Sequence, residues 1–230
     1  MKKLDFNFNE TNRSSVDELK FEVSKEVANT IEKSRASIAT LIDSVRLFVL
    51  EFEAYGKNFP KSQKISPDAY VQTVLQLAFY RAHGRLGNAY ESGSLRKYSL
   101  GRTDVIRSCS SDAMRFVRAM SDANTSSQER SSLFLKAINA HRQFTNSVLN
   151  CESFDRHLLG LKLIAFENNI EVPELYNDSS YKSLCHYLLS SSQISSKFEA
   201  ITVYGPAVHD GYGNINHIIQ YINARFILFK

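Results

Sequence analysis

Strong charge, long apolar runs and paired cysteines are all missing from this chain of 230 residues. No run of about 18 apolar residues occurs, so no transmembrane helix is expected. The formal net charge is only +4, which suits a small anionic ligand and gives little reason to expect nucleic acid. The three cysteines, Cys109, Cys151 and Cys185, are an odd, widely spaced set with no metal-ligand pair among them. They read as small apolar side chains, or as free thiols in a reducing compartment. The first residues, Met1-Lys2-Lys3-Leu4-Asp5-Phe6, are basic, but Asn, Glu and Thr follow where a secretory signal would be apolar. The same stretch lacks the Arg-rich, acid-poor character of a mitochondrial presequence, and Leu228-Phe229-Lys230 is not a peroxisomal tripeptide. There is no internal repeat and no long low-complexity tract.

What is present is enough apolar material for a core. The chain is 43% hydrophobic, and a single domain of this length buries roughly 70–75% of its unfolded surface. Residues from about Ser15 to Glu53 read as one long helix, broken at most once. Ser15 is its N-cap and Glu18 the capping-box partner, with apolar residues from Val23 to Phe52 near helical spacing. That stripe is expected to be core. Gly56 and Pro60 mark its end. A polar, lysine-rich loop covers Lys57 to Asp68. Helices then follow at about Pro67 to Gly84, Asp112 to Met120, Ser131 to Asn150 and Phe154 to Asn168. The last is too apolar to be fully exposed. Strand candidates are Leu95–Leu100, Tyr187–Ser190, Ala200–Tyr204 and Ile218–Phe229. Asp210-Gly211-Tyr212-Gly213 reads as a tight turn rather than a phosphate loop. Together these give one helix-rich α/β domain with a modest mixed sheet.

Taken alone, the polar residues leave several readings open. Lys57, Lys61 and Lys64 precede a helix start, an arrangement that can hold phosphate or can be an ordinary solvated charge run. Ser190-Ser191-Ser192 reads as a turn, and Arg156 as an ion-pair partner of Asp155 or a nearby acid.

Five separated stretches agree in order and narrow the choice: Tyr90-Glu91-Ser92, Gly101-Arg102-Thr103-Asp104, Asp155-Arg156-His157-Leu158-Leu159-Gly160-Leu161, Ser190-Ser191-Ser192-Gln193 and Asp210-Gly211-Tyr212-Gly213. They resemble the C-terminal part of the choline/carnitine acyltransferases. The resemblance runs from about Leu4 to Gly213 and covers less than half of a family enzyme. It implies a fold like that of chloramphenicol acetyltransferase, a mixed β-sheet flanked by helices, with this chain as one of two such units. Residues 1–14 would be an extended entry segment, 15–213 the family-like core and 214–230 a divergent, truncated tail.

The resemblance also implies roles. Lys57, Lys61, Ser62, Gln63, Lys64, Ile65, Ser66, Pro67 and Asp68 match the family's coenzyme A loop, whose first two lysines address the 3′-phosphate. Arg142 and Gln193 match further coenzyme A contacts. A carboxylate is best held by a bidentate guanidinium with hydroxyl donors. Arg156 matches the arginine that does this for carnitine, and Tyr90, Ser92 and Thr103 match its partners. Choline has no carboxylate, so Arg156 with Thr103 favours carnitine. Ser190 lines the carnitine pocket, Tyr204 faces the trimethylammonium, and Ser192 is the oxyanion donor. The family's usual Ser-Thr-Ser is here Ser190-Ser191-Ser192. Thr202 sits where acyl-chain length is set, and its intermediate size leaves that length open.

None of the six histidines stands in the family's catalytic position. His157 is expected to be a packing residue. The implied reaction is acyl transfer between coenzyme A and carnitine in a ternary complex, short-chain, with acyl-CoA as co-substrate and neither a permanently bound cofactor nor a metal. The general base would come from an N-terminal domain in the same or a longer chain. The family's compartments are the mitochondrial and peroxisomal matrix. Two other classes stay open: a non-catalytic coenzyme A- or carnitine-binding half-protein, and a basic nucleic-acid module, against which the lack of interleaved arginine and aromatic residues argues.

Overall fold

The computed structural model describes residues 19–52, 54–193, 205–218 and 224–229, so Ser15, Glu18, Thr202, Tyr204 and the strand expected at Ala200–Tyr204 lie outside the described residues. The chain divides into two units, residues 1–43 and 44–230.

In the first unit, helix α1 spans Lys25–Ser44. Its start is capped by Ser24, whose hydroxyl accepts from the Val27 amide at 3.3 Å. This is shorter than the single helix expected from Ser15 to Glu53. The apolar stripe is also not core, because Val27, Ile31, Ile38, Leu41 and Ile42 are exposed. Helical spacing specifies the stripe but not what covers it.

The second unit opens with strand β1, Leu47–Phe52, where the long helix had been expected to continue. Leu47-Phe48-Val49-Leu50-Glu51-Phe52 is a six-residue run with five apolar residues, too short for periodicity to separate helix from strand. Here the backbone pairs antiparallel with β6, Ala224–Phe229. Pairing with a distant segment outweighs local preference, the usual outcome for strands.

Helix α2, Asn58–Ser62, and a turn replace the expected lysine loop. Helix α3 follows at Pro67–His83, with the Ser66 hydroxyl accepting from the Ala69 amide at its N-terminus and Gly84 left-handed at its C-terminus. Strands β2, Ala89–Ser94, and β3, Thr103–Ile106, form a hairpin. The strand expected at Leu95–Leu100 is instead the loop of this hairpin. The Leu95 amide bonds the Arg102 carbonyl at 2.9 Å, and Leu100 takes a positive φ of 59°. Gly101 is required there, because a Cβ would lie 1.9 Å from the Leu95 carbonyl oxygen.

Helices α4, Ser111–Ser121, α5, Ser127–Leu149, and α6, Asp155–Glu167, are close to expectation. Helix α5 starts four residues early because Ser126 caps it, accepting from the Glu129 amide. A one-turn 3-10 helix, Glu174–Asn177, and α7, Ser179–Leu184, lead to β4, Leu189–Gln193. Strand β5 is Tyr212–Ile218. Thus Tyr212 and Gly213 begin a strand rather than end a turn, and residues 214–230 carry most of β5 and all of β6.

Among the described residues, six strands form one sheet in the order β1-β6-β5-β4-β2-β3. Strands β5, β4 and β2 are mutually parallel, and the flanking pairs are antiparallel. Parallel neighbours need a long crossover, and α4 to α7 lie between β3 and β4. The fold class is therefore α/β, a mixed sheet with helices.

The core joins α3, α4 and α5 through Leu77, Phe116, Val117 and Ala137. A second cluster, Phe79, Ala89, Leu188 and Leu189, seats α3 on the sheet. Between them the buried Gln76 amide accepts from the Gly87 amide at 3.1 Å and donates to the Gly87 carbonyl at 2.8 Å and the Ser108 hydroxyl at 3.0 Å. This fixes the entry to β2. Helix α6, expected to be covered, buries only Ala165, and its Leu159, Leu161, Leu163 and Ile164 are exposed.

Candidate functional site

Strand alternation sorts the site residues onto two faces of the sheet. Successive side chains point to opposite sides, and residues in register share a side. Tyr90 is opposite Ser190 and Glu91 is opposite Ser191. Across the hairpin, Ser92 faces Val105 and Ser94 faces Thr103. Tyr90, Ser92, Thr103, Ser190 and Ser192 therefore share one face. Glu91, Gly93, Ile106 and Ser191 occupy the other, against α3 and α5. Gly93 belongs there because a Cβ would meet the Val148 side chain of α5 at 2.5 Å.

On the first face, Arg156 brings three expected residues together. It is exposed, on the first turn of α6, and its Nε donates to the Thr103 carbonyl oxygen at 2.9 Å. Its Nη2 donates to the Tyr90 hydroxyl at 3.4 Å. The bond to Thr103 is thus to its backbone, not its hydroxyl. These two bonds leave three of the five guanidinium donors open to an anion. Arg156 is not the ion-pair partner of Asp155, because Asp155 is held by Arg107 at 2.6 Å.

Ser190 is buried, and Ser92 and Ser192 line a cavity of about 350 Å³ with Asp68, Glu91 and Thr145. The middle serine, Ser191, is buried and donates to the Gln72 side-chain oxygen of α3 at 2.9 Å. It ties the sheet to the helix layer.

On the second face lies a cluster that sequence reading missed. His141 Nε2 and Glu91 Oε2 are 2.9 Å apart, and both side chains are buried. Asp68 joins them, so that the three groups' ligand atoms lie within 4.8 Å of one another. Such a set could take a divalent cation on donor chemistry alone. Protons account for it as well. Burial pushes the Asp68 carboxyl up to about 7, helped by the Glu91 charge and a hydrogen bond shared with Glu91, while His141 opposes the shift. Burial likewise pushes Glu91 up to about 7, against the lowering effect of the Asp68 hydrogen bond. Burial lowers His141, against the pull of Asp68. Asp68 Oδ1 has no hydrogen-bond partner among the described groups, and burial favours the protonated form of both carboxyls. The position was legible in part: Ala137, Ile138, His141 and Val148 form the inward stripe of α5, and Glu91 sits between two residues of the opposite face.

The coenzyme A residues are less gathered. Lys57 stands at the N-cap position of α2 without a side-chain cap bond, Lys61 and Ser62 lie within the helix, and Gln63 ends it. Ser62 donates to the Phe59 carbonyl at 2.7 Å and accepts from Gln63 at 3.3 Å. Lys64 has a φ of 58°, and Ile65, Ser66, Pro67 and Asp68 lead into α3. Among the described residues none of the three lysines is paired with a carboxylate. Of this segment only Asp68 reaches the cavity. Arg142 is exposed on α5, one residue past the inward-facing His141, and Gln193 closes β4. His157, expected to pack, is exposed on α6.

Among the described residues, no helix is long and apolar enough to cross a membrane. Residues 2–229 match the family model described as Choline/Carnitine o-acyltransferase. The carnitine O-acetyltransferase of Rattus norvegicus is 46% identical over 195 residues, which are 85% of this chain and 31% of that protein. That of Columba livia is 43% identical over 213 residues, 92% of this chain and 34% of the other. The choline O-acetyltransferase of Danio rerio is 41% identical over 196 residues, 85% and 31% of the two. The chain spans about a third of the length of the curated relatives it matches. A solved chloramphenicol acetyltransferase aligns over 81% of this chain and 78% of its own, with 11% identity and a TM-score of 0.45. A family match that runs almost from end to end, together with an arginine, a tyrosine and paired serines on one sheet face, has one consequence: the chain belongs to the choline/carnitine O-acyltransferase family.

Proposed function

We propose that this chain is the part of a short-chain carnitine O-acyltransferase that holds carnitine and coenzyme A. The reading is supported chiefly by one observation: Arg156 bonds both Tyr90 and the Thr103 strand while keeping donors open. A guanidinium so held suits the carnitine carboxylate. Lys57, Lys61 and Lys64 would take the phosphates of coenzyme A, with Ser62 to Asp68, Arg142 and Gln193 along its path. Tyr90, Ser92, Thr103, Ser190 and Tyr204 would surround carnitine.

In the reaction the thiol sulfur of coenzyme A attacks the ester carbonyl of an acylcarnitine. The carbonyl oxygen becomes an oxyanion, to which the Ser192 hydroxyl donates. A preorganised donor of this kind contributes about 3–4 kcal/mol. Collapse forms the thioester and releases carnitine. The proton passes from the thiol to a histidine and then to the leaving oxygen of carnitine, which becomes its hydroxyl. That histidine belongs to an N-terminal domain outside this chain, and the mitochondrial or peroxisomal matrix is the compartment.

The test is equilibrium dialysis of the chain with carnitine and with choline. Carnitine should bind at least tenfold tighter, and Arg156→Gln should erase the difference, since a charged hydrogen-bond pair contributes about 1.5–3 kcal/mol. Equal binding of the two ligands by the unmodified chain would overturn the reading.

A further inference from the structure

Arg107 follows β3 directly and is buried with Asp155, the side chains 9% and 8% exposed. Its Nε donates to Asp155 Oδ2 at 3.0 Å and its Nη2 to Oδ1 at 2.6 Å. Nη2 also donates to the Tyr187 hydroxyl at 3.2 Å, and Nη1 to the Leu184 carbonyl at 2.9 Å. Four hydrogen bonds thus leave from one side chain. The Tyr187 hydroxyl closes the ring by donating to Asp155 Oδ1 at 3.4 Å. The Tyr187 and Phe154 rings lie 5.2 and 5.5 Å from the guanidinium carbon. One residue therefore ties the end of β3, the start of α6, the end of α7 and the segment before β4.

The start of α6 needs such a tie. Phe154, at its N-cap position, makes no side-chain cap bond, so the usual hydroxyl or carboxylate cap is missing. Asp155 in the first turn complements the helix dipole, and Arg107 fixes Asp155. The next residue is Arg156. A second route runs through aromatic rings: Tyr187 meets Tyr90 edge-on, centroids 5.4 Å apart at 73°, and Tyr90 accepts from Arg156. Arg156 itself is exposed and makes one short bond and one long one. Its fork is held by the Thr103 carbonyl of β3 and by the Tyr90 hydroxyl, with Asp155 beside it in the chain; Arg107 ends β3, bonds Asp155 directly and reaches Tyr90 through Tyr187.

We propose that Arg107, acting with Asp155 and Tyr187, is the positioning group that aims the Arg156 fork at the carnitine carboxylate. This rests on the proposed carnitine reading of Arg156. Bidentate recognition is geometrically strict, so a displaced fork discriminates poorly between a carboxylate and its uncharged ester even when the pocket still closes around the trimethylammonium.

The experiment follows the Arg156 Nε–H signal of the chain by NMR during titration with carnitine, carnitine methyl ester and coenzyme A. Arg107→Lys keeps the charge but loses the fork, and Tyr187→Phe keeps the ring but loses the hydroxyl. The unmodified chain should prefer carnitine over its ester by roughly ten- to a hundredfold, the range of a charge-assisted pair. Arg107→Lys should collapse that ratio towards one, shift the Arg156 signal before ligand is added, and leave coenzyme A affinity unchanged. Tyr187→Phe should lower the ratio less, and it decides alone if Arg107→Lys does not fold. A ratio preserved in the folded variants overturns the proposal, as does an equal weakening of all three ligands, which marks a merely structural role. No preference for carnitine over the ester in the unmodified chain overturns the carboxylate reading itself.

Discussion

Replacing Glu91 by Gln should flatten the dependence of stability on pH. Burial lifts the Glu91 carboxyl from its ordinary 4.5 to about 7. The folded chain therefore holds a proton that the unfolded chain has already released. The stabilisation is complete below the unfolded value and is lost as pH rises through the folded one. The gap between 4.5 and about 7, at about 1.4 kcal/mol per pH unit, amounts to about 3 kcal/mol lost between roughly pH 5 and pH 8. Asp68, raised from 3.8 to about 7 by burial and then by Glu91, works in the same direction. His141 works in the opposite one. Burial lowers it from 6.5, so its contribution is present above that value and is lost as pH falls through the folded value. From about pH 7.5 upward, where unfolded His141 has lost its proton, the carboxyls alone set the trend within the cluster. The assay is urea unfolding of the chain and of Glu91→Gln at pH 5, 6.5 and 8. The variant should gain on the parent by about 3 kcal/mol from pH 5 to pH 8, roughly 1 kcal/mol of it above pH 6.5. A constant difference across that range, or a parent that gains on the variant as pH rises, would refute the proton-holding account of the cluster.

Gly93→Ala should lower the melting temperature, because its Cβ would meet the fully buried Val148 at 2.5 Å and Ile106 at 3.1 Å. Overpacking of this kind costs about 1–3 kcal/mol, and an unchanged melting curve would mean that α5 yields freely. The double variant Lys57→Ala with Lys61→Ala should bind coenzyme A and its dephospho form equally, where the parent prefers coenzyme A by roughly tenfold through charge-assisted phosphate contacts. A parent without that preference would remove the 3′-phosphate role from the two lysines.

The helices were legible because their signals are local. Ser66, Ser110 and Ser126 each accept a backbone bond at a helix start, and two of those starts were read to within a residue or two. The sheet was not legible in the same way. Leu47–Phe52 looks like the end of a helix until β6 is known to lie beside it. Leu95–Leu100 has the apolar and aromatic content of a strand, yet the close approach of Gly101 to Leu95 turns it into a loop. The first case turns on a distant partner, because strand pairing is decided between distant segments; the second turns on a local contact that composition does not display.

The site divides along the same line. Tyr90 and Ser92 share a face through the two-residue period of one strand, as do Ser190 and Ser192. That much follows from position. What joins the two pairs is the register Tyr90↔Ser190, and what adds Thr103 is Ser94↔Thr103. A slip of one residue in either ladder would turn Glu91 or Ser191 toward Arg156 and carry the serines into the helix layer. The register is held by groups that carry no family role: Gln76 on Gly87 at the entry to β2, and Ser191 on Gln72 behind β4. Each pins a strand to α3 from the face opposite Arg156. The residues that resemblance assigned to carnitine are therefore aligned by buried amides and a hydroxyl on the far side of the sheet. A change at Gln72 or Gln76 should weaken carnitine contacts it never touches.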